Sequence, residues 1–428
     1  MSFITNIRSV AKYESKILVR SWFFRIFTLL AVVFLGFFNF AMMLMEDNFG
    51  LWFAKSVSSN IPYLNLLLLN TGQAVVAVFL SSEFLKRDKK LDTSEVFYVR
   101  PLSNAEYVVG KIWGNLRVFL FLNLLVLAIV LAFNFMASGV AVDLPAYLVY
   151  FFLISIPTLI FIIGLSIFLM LLLKNQALTF ILLLGYIGLT LFYIQDKFYY
   201  LFDYMVYNLP LFKSTIVGFS NLELILNHRA IYFFAGLGFI FFTIFLFKRL
   251  PNARRSHYPW LFLSFCMFLL MGTAGFRHVR SILREGEMRA LYTSINNKYV
   301  YEPKMAIDYY DISVEQKSET IRSVVGMEGT ALAASEVFIF CLNPGLRVEE
   351  VKEGEKPLDF KREEQILAVD FGRKIEKGDT ISFSVSYEGR IKDDFCYLDI
   401  PEEVLQQPYD KEMLKLDKKY SFQTPDYV

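Results

Sequence analysis

Histidine, cysteine and charge are all scarce in this 428-residue chain, which has three histidines, three cysteines and 20% charged residues. Each shortage narrows the chemistry open to it. A helical zinc-peptidase site needs two histidines four apart with a glutamate base between them. His228, His257 and His278 are followed by Arg229, Tyr258 and Val279, so none of them opens that motif. No Gly-rich loop ending in Lys and Ser or Thr is present to cradle phosphates. No metal site, ATPase activity or other enzymatic activity is therefore expected within the chain, and no nucleic-acid partner. Cys266 falls in an apolar run, and Cys341 and Cys396 lie in the polar C-terminal part, where a disulfide is chemically allowed.

Apolar residues are abundant instead, at 55% of the chain with 17% aromatic, a composition that rules out disorder. Cut after Gly286, the first part has 24 basic and 13 acidic residues and the remainder 19 and 28, a swing from +11 to −9. Two environments are expected. Seven apolar runs approach the roughly 20 residues that cross about 30 Å of hydrocarbon. They are Trp22 to Met45, Ile61 to Phe84, Val118 to Met136, Ala146 to Leu173, Ala177 to Ile194, Ala230 to Phe247 and Tyr258 to Phe276. A soluble helical core would need a charged face on each helix, and the runs offer only Arg25 and Glu83. The first run is too long for a signal peptide and ends on Met42, Met43, Leu44 and Met45 rather than small residues, so it should stay in the mature protein.

Basic residues retained on the cytoplasmic side orient the spans. They cluster before the first span (Arg8, Lys12, Lys16, Arg20), after the second (Lys86, Arg87, Lys89, Lys90, Arg100, Lys111) and after the sixth (Lys248, Arg249, Arg254, Arg255). The N-terminus is then inside and the acidic C-terminal part outside, although Arg277, Arg280 and Arg284 beyond the seventh span oppose this. Phe3, Ile4, Ile7, Val10, Ala11, Ile17 and Leu18 recur near helical spacing among Arg8, Lys12, Glu14 and Lys16, which suits an interfacial helix with its basic side toward anionic lipid headgroups.

The loop after the second span carries most of the functional signal. Asp92 or Thr93 can cap a short helix with Glu95 in its first turn, and Pro101, Ser103 and Asn104 stop it and start another. At these residues the chain resembles the permease subunits of ABC transporters of the second, exporter type. That family has an interfacial elbow helix, then a cytoplasmic coupling helix between spans two and three. Thr93, Glu95, Pro101, Ser103 and Lys111 match its order, while Asp92 replaces the usual Gly. The resemblance covers about residues 1 to 250 and implies a coupling role for Asp92, Thr93, Glu95, Arg100, Pro101 and Lys111.

Residues Gln195 to His228 are too polar to cross a membrane, and Tyr199, Tyr200, Phe202, Tyr204 and Tyr207 could form either an interfacial aromatic helix or a plain aromatic belt. Polar residues within spans join helices or line a path. Asn70, Thr71 and Gln73 in the second span are the candidates for path lining, with Asn39, Asn65 and Asn123 nearby in kind. Pro157 should kink the fourth span.

After Phe276 the period changes to two. Tyr310, Ile312 and Val314 alternate, as do Leu367, Val369 and Phe371, and Ile381, Phe383, Val385 and Tyr387, with turn residues between them, giving an antiparallel β domain with one buried face. Leu342 to Val348, Pro357 to Phe360, Gly378 with Asp379, and Tyr387 to Gly389 resemble the N-terminal β domain of aminopeptidase N zinc peptidases over about residues 300 to 428. The catalytic domain that follows in that family is not expected within this chain. Gly326, Met327 and Glu328 resemble part of that family's exopeptidase motif, but Gly329 replaces its Asn, and a coincidental turn is expected there. The ending at Val428 suggests a truncated reading frame or a peptidase half encoded separately.

The expected architecture is an α-helical polytopic membrane domain, a six-span exporter permease plus a seventh span, followed by an antiparallel β domain. Its parts are an elbow helix (1–21), a permease domain (22–250) with a coupling helix near 89–104, the seventh span and linker (251–285) and an external β domain (286–428). The expected role is that of a permease subunit in a bacterial inner membrane. Its partners would be an ABC ATPase that holds ATP and Mg, a second permease unit in a homodimer or heterodimer, and membrane lipid. The alternative is a membrane-anchored scaffold or binding subunit for a separately encoded zinc peptidase domain.

Overall fold

The computed structural model describes residues 3–44, 58–82, 102–136, 141–194, 197–207, 209, 211, 213, 219, 221–247, 258–317, 320–392 and 395. The chain divides into two compact units, the first running mainly to Arg280 and the second mainly from Ser281.

The first unit is helical. Helix α1 (Phe3–Arg20) stops at Ser21, and α2 (Trp22–Leu44) begins at once; α3 spans Asn60–Ser82. Helix α4 (Asn104–Met136) starts well before the expected Val118. A capping box sets that start: the Glu106 N–H donates to Ser103 Oγ (3.1 Å), and the Ser103 N–H donates to Glu106 Oε2 (2.6 Å). Asp143 caps α5 (Leu144–Tyr150), which passes through a π turn at Phe151–Ser155 into α6 (Ile156–Leu173). The irregularity thus lies just before Pro157. Lys174 takes a left-handed conformation and Asn175 caps α7 (Gln176–Phe192) through its Oδ1, which accepts from the Leu178 N–H at 3.2 Å.

Helix α8 (Leu222–Leu246) begins eight residues ahead of the expected Ala230 and so takes His228 and Arg229 into the helix. Helix α9 (Tyr258–Lys298) runs on past Phe276, so Arg277, Arg280 and Arg284 are helical rather than part of a linker. Among the described residues six helical segments, α2, α3, α4, α5 with α6, α8 and α9, are long and apolar enough to cross a membrane; α7 is apolar but shorter. Close crossings are made by glycine. A Cβ on Gly164 of α6 would lie 2.6 Å from the Gly236 carbonyl oxygen of α8, and one on Gly236 would lie 2.7 Å from the Ile160 backbone.

The second unit holds the C-terminal turns of α9 and two antiparallel sheets. Strands β1 (Met305–Lys317), β2 (Thr320–Ala331), β8 (Thr380–Gly389), β4 (Leu346–Glu353) and β5 (Lys356–Pro357) form one sheet in that order. Strands β3 (Ser335–Cys341), β7 (Ile366–Ile375) and β6 (Asp359–Glu363) form the other. Leu367, Val369 and Phe371 of β7 face Ile381, Phe383 and Val385 of β8 across the shared core, with Phe371 and Phe383 packed edge to face at 5.6 Å. The turn at Asn343 is tied by its Oδ1, which accepts from the N–H groups of Gly345 and Lys392 at 3.0 and 2.9 Å. A Cβ on Gly345 would fall 1.9 Å from the Arg390 carbonyl oxygen, so only glycine fits.

Two expectations fail in this unit. Tyr310, Ile312 and Val314 alternate as predicted but are exposed, because the second sheet does not extend over them. Gly326 to Gly329 is no turn: it lies inside β2, paired with β1 and β8. Alternation and glycine content are local signals, whereas sheet order decides which column of residues is covered.

Candidate functional site

Of the predicted coupling residues, Asp92, Thr93, Glu95, Arg100 and Pro101 lie outside the described residues. Lys111 is in α4, buried, with its Nζ 3.1 Å from Glu14 Oε1 of α1. The ion pair belongs to a clasp along both helices. A Cβ on Gly110 would come within 2.7 Å of Val10 Cβ, and one on Gly114 within 2.7 Å of Glu14 Cβ, so the Gly-x-x-x-Gly spacing lets the backbones approach. Polar bonds then fasten the seam. Asn6 Nδ2 donates to Glu106 Oε1 (2.8 Å), Ser15 Oγ to the Gly114 carbonyl (2.6 Å), and Arg117 to Ser15 Oγ and the Ala11 carbonyl (2.5 and 2.8 Å). Helix α1 therefore buries Asn6, Val10, Ala11, Glu14 and Leu18 against α4, while Phe3 and Ile4 stay exposed. Its apolar stripe is split between the protein and the surroundings. The spacing Val10, Glu14, Leu18 already put the glutamate on the packed stripe, and Gly110 with Gly114 was the matching signal.

The predicted path residues fall into two groups. Asn70 and Gln73 of α3 are fully buried, and Gln73 Nε2 donates to Asn70 Oδ1 at 2.9 Å. Asn70 Nδ2 donates to Asn123 Oδ1 and to Ser155 Oγ, both at 3.2 Å, and Asn123 Nδ2 returns a bond to Gln73 Oε1 at 3.0 Å. Four side chains thus bind α3, α4 and the π turn into one network. Thr71 is half-buried and bonds back to the Leu67 carbonyl of its own helix. Asn39 of α2 and Asn65 of α3 exchange amide bonds at 2.7 and 3.1 Å.

A second polar site was not anticipated. The segment from Lys197 onward forms a short 3₁₀ turn at Phe198–Tyr200 and then bends; of the two arrangements left open for Tyr199 to Tyr207, the aromatic helix does not form. Phe198, Tyr199, Tyr200 and Val206 have left-handed φ between 53° and 63°, costly for residues other than glycine. Surrounding helices hold this backbone by its carbonyls. Arg229 of α8 donates from Nη1 to the Tyr204 carbonyl (3.0 Å), His228 faces the Tyr200 carbonyl (3.0 Å), and the Tyr232 hydroxyl donates to Leu201. His278 of α9 faces the Tyr199 carbonyl at 2.7 Å, and Tyr63 of α3 donates to Val206 at 3.3 Å. Asp203 accepts from the Tyr207 and Leu209 N–H groups at 2.7 and 3.1 Å.

Arg229 also spans the kink. Pro157 has no N–H for the Leu153 carbonyl four residues earlier, and Arg229 Nε donates to that oxygen at 2.6 Å while Nη2 reaches Thr158 Oγ1 at 2.9 Å. One guanidinium thereby serves both a broken helix and a non-helical segment, which allows irregular backbone to sit inside a helical bundle. Proline was legible in the sequence; its partner, 72 positions away, was not. No group of three or more potential metal ligands occurs among the described residues.

No protein-family model and no curated protein matches the chain. Among the solved structures that share part of it are two at 17% identity. One is a two-domain M1 zinc metallopeptidase mutant bound to L-tryptophan, and the other an M1 zinc metallopeptidase mutant from Deinococcus radiodurans bound to a Tyr-Ser-Ala substrate. Each match covers 20% of this chain and 21% of the other, with TM-scores of 0.20 and 0.19. The chain therefore spans about a fifth of their length.

Proposed function

We propose that this chain is the membrane-spanning permease subunit of an ABC exporter of the second type. The observation that carries the reading is the α1–α4 clasp. Helix α4 begins at Asn104, directly after the sequence with coupling-helix character, and α1 is bound to its first turns by Glu14–Lys111, Asn6–Glu106 and the two glycines. Force applied near Glu95 by a partner ATPase would reach α4 and α1 together. A bilayer environment fits the outward faces of α2 and α9, where Phe34, Phe37, Phe262 and Phe265 are exposed in long apolar helices. ATP and Mg belong to the partner in this reading, and a second permease unit completes the path.

Reconstituting the chain with its ATPase tests the assignment. Glu95→Lys together with Arg100→Glu should abolish substrate-stimulated ATP hydrolysis while leaving basal ATPase activity of the partner intact; full stimulation would reject the coupling role. The second reading, a membrane-anchored scaffold for a separate zinc peptidase, draws on the resemblance of residues 300 to 428. Co-purification with a peptidase and no ATPase would favour it. For orientation in a bacterial inner membrane with the C-terminal unit outside, an impermeant thiol reagent on intact cells should label Ser384→Cys and spare Ser94→Cys. The reverse pattern would invert the topology.

A further inference from the structure

We infer that the free edge of β1 is a self-association surface, on which β1 of a second copy of this chain pairs antiparallel about a two-fold axis through Ile312. Among the described residues β1 has a strand neighbour, β2, on one side only. Its register with β2 sets Tyr310, Ile312 and Val314 opposite Met327, Val325 and Ser323, and these stand opposite Phe383, Val385 and Tyr387 of β8. The three β1 side chains thus continue the core face of the sheet. They are nevertheless 53%, 56% and 53% exposed, since the core takes Met305 from this strand and none of these three. Tyr309 and Val324 are exposed on the other face of the same two strands. A long edge strand of this kind normally carries lysine, proline or an inward charge as protection, and Tyr309 to Val314 has no lysine or proline.

Charge along β1 is compatible with a second copy and favours this register over its two neighbours. With the axis at Ile312, Ile312 meets Ile312 of the second copy, Tyr310 meets Val314, and Asp311 meets Ser313. Three apolar pairs line one face, and no like charges oppose each other within Tyr310 to Val314. Moving the axis to residue 311 sets Asp311 against itself, and moving it to residue 313 sets Asp311 against Glu315, both unfavourable. An isologous interface, in which one patch complements itself, meets these conditions. The inference stands independently of the transport reading, because it rests on the exposure and charge pattern of one strand.

The test uses the full chain in native membranes, with Cys266, Cys341 and Cys396 replaced by serine. Mild oxidation of Ile312→Cys should give a disulfide-linked species at twice 49.7 kDa, and co-expressed Tyr310→Cys and Val314→Cys chains should cross-link to each other more than either does alone. Lys356→Cys on β5, at the opposite edge of the sheet, is the control. Cross-linking at Ile312 no greater than at Lys356 overturns the proposal. A photo-crosslinking residue at position 312 supplies the second readout: an adduct of two chains is expected, and an adduct with a different protein assigns the edge to another partner and overturns it. All three β1 positions are exposed, so these substitutions leave the folding core untouched.

Discussion

At the residue scale, the side chains that organise the helical unit are charged or amide groups in buried positions. Lys111 and Glu14 are 1% and 3% exposed, so each is tolerable only while the other is present. Lys111→Met alone or Glu14→Gln alone should destabilise the full chain by about 3–5 kcal/mol, and the double replacement by much less than the sum, read from thermal unfolding in detergent. Arg229 makes a sharper case because its partners are backbone oxygens. Removing it in Arg229→Met strands the Leu153 carbonyl, worth about 1–3 kcal/mol when buried and unpaired, and leaves the Tyr204 carbonyl to the Thr158 hydroxyl. Adding Pro157→Ala should recover part of that loss by returning an N–H to Leu153. No recovery would mean that the guanidinium serves the 197–209 segment and not the kink.

At the element scale, helix identity was written in the sequence and helix partnership only partly. Apolar runs located the long apolar helices described in the first unit to within a turn or several at their ends. Ser103 with Glu106, Asp143 and Asn175 then mark the starts of α4, α5 and α7 by ordinary capping chemistry. The early starts of α4 and α8 were missed because their first turns carry Lys111, His228 and Arg229, polar enough to end a hydropathy window and yet buried by neighbours. The clasp makes a direct prediction. Gly114→Leu should push α1 off α4 and speed trypsin cleavage at Lys12, whereas Gly36→Leu, with nothing within 4 Å of its Cβ, should leave that rate unchanged.

At the scale of the whole molecule, the second unit can be probed by core and surface changes. Phe371 is fully buried between Phe338 and Phe383, and Phe371→Ala should cost about 3–5 kcal/mol, seen as loss of a protease-resistant C-terminal fragment. Arg373 grips Glu353 with two bonds of 2.7 and 2.6 Å and holds its carboxyl below the ordinary value. A carboxyl lowered on folding adds stability above its unfolded pKa, and that stability is lost as pH falls through the folded value. The unfolding midpoint should accordingly drop as the medium is acidified below the ordinary carboxylate range, less steeply in Glu353→Gln, with the difference between the two absent at neutral pH only if the bond contributes nothing.

Hydrophobic run length and the order of turn residues are properties of short stretches, and they made a helical part of membrane-crossing length with a β part after it legible, whereas the boundary expected at Phe276 lies beyond Lys298 because α9 continues through a polar stretch. Physical distance between sequence-distant groups is not such a property. Which polar residues of the helices pair with one another, that Arg229 serves Leu153, that Glu14 meets Lys111, and that Tyr310, Ile312 and Val314 stand on an edge with no further strand among the described residues were settled by tertiary structure alone. The reason is common to all four. A buried polar group or an apolar face has several possible partners of the right chemistry along the chain, and only the packing of whole elements brings one of them, or none, within reach.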